Sequence, residues 1–411
     1  MNPDHYSYRD DSPHKTVSDG TLRGMSCSIQ PNMSVRGWPT EAGSKALEGF
    51  CALEDATVIE RLRAAGATIL GSTRMSELGF GLTGDTVACI ISGGDVDIAL
   101  MTDTMGEARV AASEAGAFGF KPTYGLVSRF GLIGLVPSME CHGMVARNAA
   151  DIGKVMAVIS GCDDHDLSMP QYQVPDFSHS DESEQSPVVL GTIDHCADTL
   201  EPDTMAVFNG TLSRIQEAGM TVRTCSLPDF ALLRTVHNII GSVEASSSAG
   251  KYDGVRYGHR ARSAKNWNEM YLKTRAESFG PLLKTYLFQG AYFQFQDYGA
   301  FEDACRIRAR LVQQTEALFS EVDFLVLPTK PPHLTGVDTS TKVGTSTTDG
   351  IYDVFSLSLA ANVTGLPAIH IPGSVLQDGA GMGLQLIGPR LGDARLLSAA
   401  AAISHITGGG K

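Results

Sequence analysis

The chain has 411 residues, 43% hydrophobic and 19% charged, which is enough apolar material for a full core and excludes global disorder. With 46 acidic against 32 basic residues the net charge is −14, so the mean surface repels phosphate backbones and direct nucleic-acid contact is not expected, although a local basic patch is compatible with it. The eight cysteines form no CxxC pair, the histidines show no HxxxH or HExxH spacing, and no apolar run reaches the roughly 18 residues of a membrane span; this argues against a disulfide framework, a metal site and a transmembrane segment.

Residues 1–23 are polar: Asp4, Asp10, Asp11 and Asp19 are mixed with three basic residues and no apolar centre, unlike a signal peptide or an acid-poor transit helix. The segment reads as an extended arm before one large domain over residues 24–411. Asp55 is placed to cap a helix carrying Val58, Ile59 and Leu62 on one face, Gly66 is its stop, and Ala67 to Leu70 reads as a buried strand. Residues 81–125 hold eight glycines and suit tight loops and close packing of backbone on backbone.

Farther along, Val188 to Ile193 reads as a strand, and Met205, Phe208, Leu212 and Ile215 mark a helix that Gly219 ends before a strand at Thr221 to Arg223. Residues 290–320 read as helical, Phe324 to Leu327 as a strand, and residues 335–350 as a loop. Residues 351–407 give a helix, a strand at Ala368 to Ile371, a turn at Asp378-Gly379, a strand at Gly383 to Ile387 and an alanine-rich helix. Interleaving of this kind predicts an α/β fold, one large mixed sheet covered by helices on both faces.

The run Gly119-Phe120-Lys121-Pro122-Thr123-Tyr124-Gly125, continuing through Leu126-Val127-Ser128-Arg129-Phe130-Gly131-Leu132, resembles the segment after the nucleophile loop of amidase-signature enzymes. Residues 55–62, Tyr252-Asp253-Gly254-Val255-Arg256-Tyr257-Gly258 and Gly383-Leu384-Gln385-Leu386-Ile387-Gly388 resemble further motifs of that family in matching order. The tyrosine-flanked run is most similar to the A-subunit of glutamyl-tRNA(Gln) amidotransferase. The resemblance implies an amidase-signature fold and, for intact members, a Ser–cis-Ser–Lys triad. There the lysine draws a proton through the bridging serine, the second serine attacks the amide carbon, and backbone N–H groups hold the oxyanion.

This chain departs from the pattern at all three positions. Gln30, in Gly24-Met25-Ser26-Cys27-Ser28-Ile29-Gln30-Pro31-Asn32, stands at the lysine position, and an amide is no base near neutral pH. In Cys89-Ile90-Ile91-Ser92-Gly93-Gly94 the bridging position falls on Ile91, which carries no exchangeable proton; a register one residue along puts Ser92 there. In Asp103-Thr104-Met105-Gly106-Glu107-Ala108-Arg109 the nucleophile position is Glu107, whose charge opposes a developing oxyanion. Thr104, Met105 and Gly106 match the donor loop, where Met105 replaces a glycine and is strained if that position needs a positive φ. By resemblance, Arg308 and Asp378 match residues that hold the amino-acid ends of glutamine.

The implied reading is a pseudoenzyme without cofactor or metal, a soluble structural or assembly subunit of a larger organellar complex, mitochondrial by expectation, with other protein subunits as partners. Two alternatives stand beside it. One is an active amidotransferase subunit using altered groups, with Cys89 the nearby thiol to test. The other is a glutamine-binding regulator that uses Arg308 and Asp378 without turnover. His142 and His259 read as structural or surface residues.

Overall fold

Along the central strands, successive apolar side chains belong to different cores, as a pleated strand buried on both faces requires. The computed structural model describes residues 5–11, 19–81, 84–178, 188–194, 200–330, 345–373 and 383–408. Eleven strands join one sheet in the spatial order β1 (Tyr6–Arg9), β3 (Thr68–Thr73), β2 (Ser26–Ile29), β4 (Ile98–Asp103), β6 (Cys141–Ala146), β5 (Phe118–Lys121), β10 (Ala368–Ile371), β11 (Leu384–Ile387), β9 (Phe324–Pro328), β7 (Val189–Ile193) and β8 (Thr221–Cys225). Pairing is parallel between β2 and both β3 and β4, and between β7 and both β8 and β9; the other pairs are antiparallel, so the sheet is mixed.

Ile98 and Leu100 of β4, Met144 and Ala146 of β6, and Phe324 and Val326 of β9 belong to the core on one face. Ala99, Met101, Val145, Leu325 and Leu327, the residues between and beside them, belong to cores on the other. The first face is covered by α1 (Thr57–Ala64), α4 (Ala149–Ile159), α5 (Pro202–Glu217) and α12 (Asp393–Thr407). The second is covered by α2 (Gly84–Ser92), α3 (Glu107–Ala115), α6 (Leu232–Ser248), α8 (Pro281–Phe295), α9 (Tyr298–Leu318), α10 (Thr345–Phe355) and α11 (Leu359–Thr364). The remaining helix, α7 (Trp267–Ser278), packs on a short 3-10 turn at Lys45–Leu47. This is the α/β architecture expected from the sequence. No helix among the described residues is long and apolar enough to cross a membrane.

Several local expectations give way to tertiary contacts. Asp55 does not cap α1, which starts at Thr57 behind Ala56; its carboxylate accepts from Arg36 N at 2.7 Å and pairs with Arg63 at 2.5 Å. An arginine charge and a loop amide together outbid one free helix N–H. The glycine-rich stretch also holds α2, β4, α3 and β5, with Gly93, Gly94, Gly106 and Gly116 at the turns between them, and it packs closely as expected: a Cβ on Gly119 would lie 2.5 Å from the Ala108 carbonyl oxygen. The run over 290–320 is two helices, α8 and α9, broken where Asp297 caps α9 by accepting from Ala300 N at 3.3 Å. The loop expected over 335–350 overlaps α10, while residues 331–344 and the Asp378-Gly379 turn lie outside the described residues. Within the segment expected as a polar arm, Tyr6–Arg9 is an edge strand on β3, and Leu22 is buried in the first core.

Candidate functional site

β2 and β4 run parallel, so their C-terminal ends meet on one edge of the sheet. β4 leads through Thr104-Met105-Gly106 into α3, whose first residue is Glu107. The Glu107 side chain folds back over this turn. Its Oε2 accepts from the backbone N–H groups of Thr104 at 2.7 Å, Met105 at 2.8 Å and Gly106 at 3.1 Å. Three convergent amides at a helix N-terminus make an anion site, and the chain fills it with its own carboxylate. Burial, and after it the charge of Asp103, push the Glu107 pKa up to about 7 although the amide bonds pull it down.

The underside of the turn is a saturated polar network. Arg109, fully buried, donates to Asp103 at 3.0 Å, to Asn362 Oδ1 at 2.5 Å, to the Ser358 carbonyl at 2.9 Å and to Gln385 Oε1. Asn362 returns bonds to the Asp103 carboxylate at 2.9 Å and carbonyl at 3.0 Å, and Gln385 donates to the Leu357 carbonyl at 3.0 Å. Gly106 has a φ of +122°, and a Cβ there would meet Ser358 Oγ at 2.2 Å, so glycine is required on two counts. Met105, in contrast, has no positive φ; it is buried in an apolar core, and the backbone strain expected for it does not arise.

Above the turn, His237 of α6 donates from Nε2 to the Thr104 carbonyl at 3.0 Å. A carbonyl only accepts, so the ring is protonated at Nε2 and its Nδ1 accepts from Tyr352 OH at 2.9 Å. Tyr286 OH then donates to Tyr352 OH at 3.2 Å, which makes a one-way chain. Burial lowers the His237 pKa to about 4, so the ring stays neutral. Phe80 stacks on Tyr286 with centroids 4.2 Å apart. The cavity left over Glu107 is about 10 Å³, bounded by Leu78, Phe80, Met105, Val136, His237 and Tyr286 among others. That volume barely admits one water, against roughly 300 Å³ or more for small-molecule pockets. The described residues lining it include no serine, cysteine or lysine.

The other residues singled out from the sequence fall as follows. Gln30 is buried just past β2, and its Oε1 accepts from Thr102 N at 2.9 Å, which ties it to β4. Ile91 does not join the site. It lies in α2, packed in an apolar core with Val87, Ile90 and Met101, and Ser92 ends the same helix. The segment that does reach Glu107 is Leu78 to Phe80, before α2, so the alignment over 89–94 fell on a helix rather than on a loop. Cys89 is exposed on α2 and lines no part of the cavity. Arg308 donates to the Val363 carbonyl at 2.9 Å and to the Ser138 hydroxyl and carbonyl at 2.7 Å each, tying α9 to α11 and to the loop at Ser138. Asp378 lies outside the described residues. His142 is buried in β6, and His259 pairs with Glu277 at 2.6 Å. Among the described residues no group of His, Cys, Asp and Glu is arranged to hold a metal.

Sequence reasoning missed His237, Tyr286, Tyr352, Ser358 and Asn362, which converge from four helices and a loop. One signal was available: Gln385 sits inside the Gly-Leu-Gln-Leu-Ile-Gly run, and its side chain is a partner of Arg109.

The comparisons with known proteins agree with this fold. The amidase family matches residues 7–89 and 86–397. The A-subunit of a glutamyl-tRNA(Gln) amidotransferase from Symbiobacterium thermophilum is 32% identical over 94% of this chain and 84% of its own length. The protein of the same name from Natronomonas pharaonis is 31% identical over 97% of this chain and 100% of its own length. The crystal structure of the glutamyl-tRNA(Gln) amidotransferase A-subunit from Thermotoga maritima superposes with a TM-score of 0.79 at 25% identity, covering 97% of this chain and 86% of that one. With the fold, the Asp103–Arg109 loop and matches along nearly the whole chain in agreement, this chain belongs to the amidase family.

Proposed function

We propose that this chain is a pseudoenzyme, an amidase-fold protein without amidase chemistry that serves as a structural or assembly subunit. The observation that carries this is the Glu107 carboxylate seated on the amides of Thr104, Met105 and Gly106. Those amides match the donors that hold an oxyanion in the family, and here they already hold a carboxyl oxygen that cannot leave. A substrate carbonyl finds no donor, Gln30 offers no base, and the cavity has no room for a glutamine.

A role in a complex has two further supports. The relatives named above are called subunits. On α8, Phe288, Tyr292 and Phe295 form one stripe at 74%, 54% and 78% exposure. Bare aromatic stripes of this size mark surfaces that another protein covers.

An active enzyme with altered groups is less well supported, because Cys89 is exposed on α2 and is not among the described residues that line the cavity. A glutamine-binding regulator is less well supported too, since the Arg308 guanidinium is engaged by Ser138 and Val363.

The test is glutamine hydrolysis by the purified chain and by Glu107→Ser, with tagged chain recovered from native extract in parallel. We expect no ammonia above background from either protein and stable co-purification of other subunits. Ammonia release by the native chain, abolished in Glu107→Ala, overturns the pseudoenzyme reading; recovery only as a free monomer overturns the complex. Co-fractionation of the assembly with mitochondria tests the organellar part.

A further inference from the structure

A second site lies away from the filled nest. The loop after α6 returns to the 3-10 turn at Lys45–Leu47, with His259 N on the Lys45 carbonyl at 3.4 Å, and is pinned to α7 by Ala261 N on Thr274 Oγ1 at 3.1 Å. Between these elements lies an open groove of about 1070 Å³. Lys45, Arg260, Arg262 and Lys265 line it. None of the four has an ion-pair partner among the described residues, because the neighbouring carboxylates are already engaged: Asp253 by Arg256 at 3.1 Å, Glu269 by Lys273 at 2.7 Å and Glu277 by His259 at 2.6 Å. Glu48 is the one carboxylate in the described lining.

In a chain of net charge −14, four surplus cations around one groove are a local reversal of the mean field. The first turn of α7 borders the same groove and is capped there, with Glu269 N on Asn266 Oδ1 at 2.9 Å and Lys265 N on Glu269 Oε2 at 2.7 Å, so the attraction for an anion comes from the four side chains. Trp267, its first residue, lies on the lining at 57% exposure. Cations that track phosphates beside a bare aromatic ring that accepts a base are the pairing by which single-stranded nucleic acids and nucleotides are held.

We propose that this groove binds a nucleotide, with its phosphates among Lys45, Arg260, Arg262 and Lys265 and its base stacked on Trp267. The groove has room for a free nucleotide or for the end of a single strand, and both present the same chemistry. The site is independent of the nest, so its failure leaves the pseudoenzyme reading untouched.

The chain supplies its own reporter. It has two tryptophans, and Trp38 is buried against Tyr8, so Trp267 is the one a groove ligand can quench. ATP is titrated into the full chain at about 50 mM salt with tryptophan fluorescence as the signal. We expect saturable quenching that pyrophosphate reverses by competition. Arg260→Ala/Arg262→Ala should weaken binding about tenfold or more, and raised salt should weaken binding to the native chain. Trp267→Ala should lose the preference for ATP over pyrophosphate, read by calorimetry. A short oligoadenylate that binds more tightly than ATP, with a steeper salt dependence, marks a strand as the natural ligand; equal binding marks a free nucleotide. No saturable change at millimolar ATP, or unchanged affinity in the double variant, overturns the site.

Discussion

The two sides of the Thr104–Glu107 turn answer to different demands. Beneath it, Asp103, Arg109, Asn362 and Gln385 keep nearly every polar atom paired in full burial. Above it, Glu107 presents a carboxyl group and the space over it is closed by Phe80 and Tyr286. The underside holds the fold together, and its loss leaves a buried charge without partners. On the reading proposed above, the upper side is the one released from chemistry, so it is filled by a side chain that satisfies the amides.

The comparison breaks first at Arg109. Arg109→Met strands the Asp103 carboxylate and the Asn362 and Gln385 amides, and should cost about 3–5 kcal/mol in urea unfolding; a cost near zero removes the structural reading of the underside. Gly106→Ala comes next. It forces a Cβ onto Ser358 at a φ of +122°, for about 2–4 kcal/mol and a matching drop in Tm.

Glu107 sharpens the contrast through pH. Its folded pKa of about 7 is raised from 4.5, so the folded state binds the proton more tightly than the unfolded one. The stabilisation is complete below the unfolded value and lost as pH climbs through the folded one, by about 1–3 kcal/mol. Glu107→Gln, which keeps an acceptor for the amides without the charge, should flatten this slope between pH 4.5 and 7; an unchanged slope assigns it to another group. The smallest expected effect is at the surface. Phe288→Ser should shift the stability of the isolated chain by no more than about 0.5 kcal/mol while reducing co-purification of partners.

Much of the scaffold was legible in the sequence. Short apolar runs and a helical apolar spacing placed β7, β9, β10 and α5 to within a few residues, and alanine content marked α12 without its start. The run from Asp103 to Arg109 marked the turn, and Gln30 was singled out by resemblance alone, without the strand β2 that precedes it. Legibility failed where composition imitated a motif. Ser92-Gly93-Gly94 looks like a glycine-serine loop, yet Val87, Ile90 and Ile91 before it supply the apolar face of a helix and bury it. Net charge was a poor guide to the groove at Lys45 and Arg262, because a sum over the chain is silent on which carboxylates are already paired.

Sequence by itself determined the α/β order of elements and the identities Gln30 and Glu107, because residue type and local periodicity are properties of the chain alone. Only the tertiary structure decided that Glu107 turns inward onto three amides, and that Tyr286 and His237, 179 and 130 positions farther along the chain, close the space above it. A carboxylate at a helix start is equally compatible with pointing into solvent. Distant helices remove the water and leave those amides as its remaining partners.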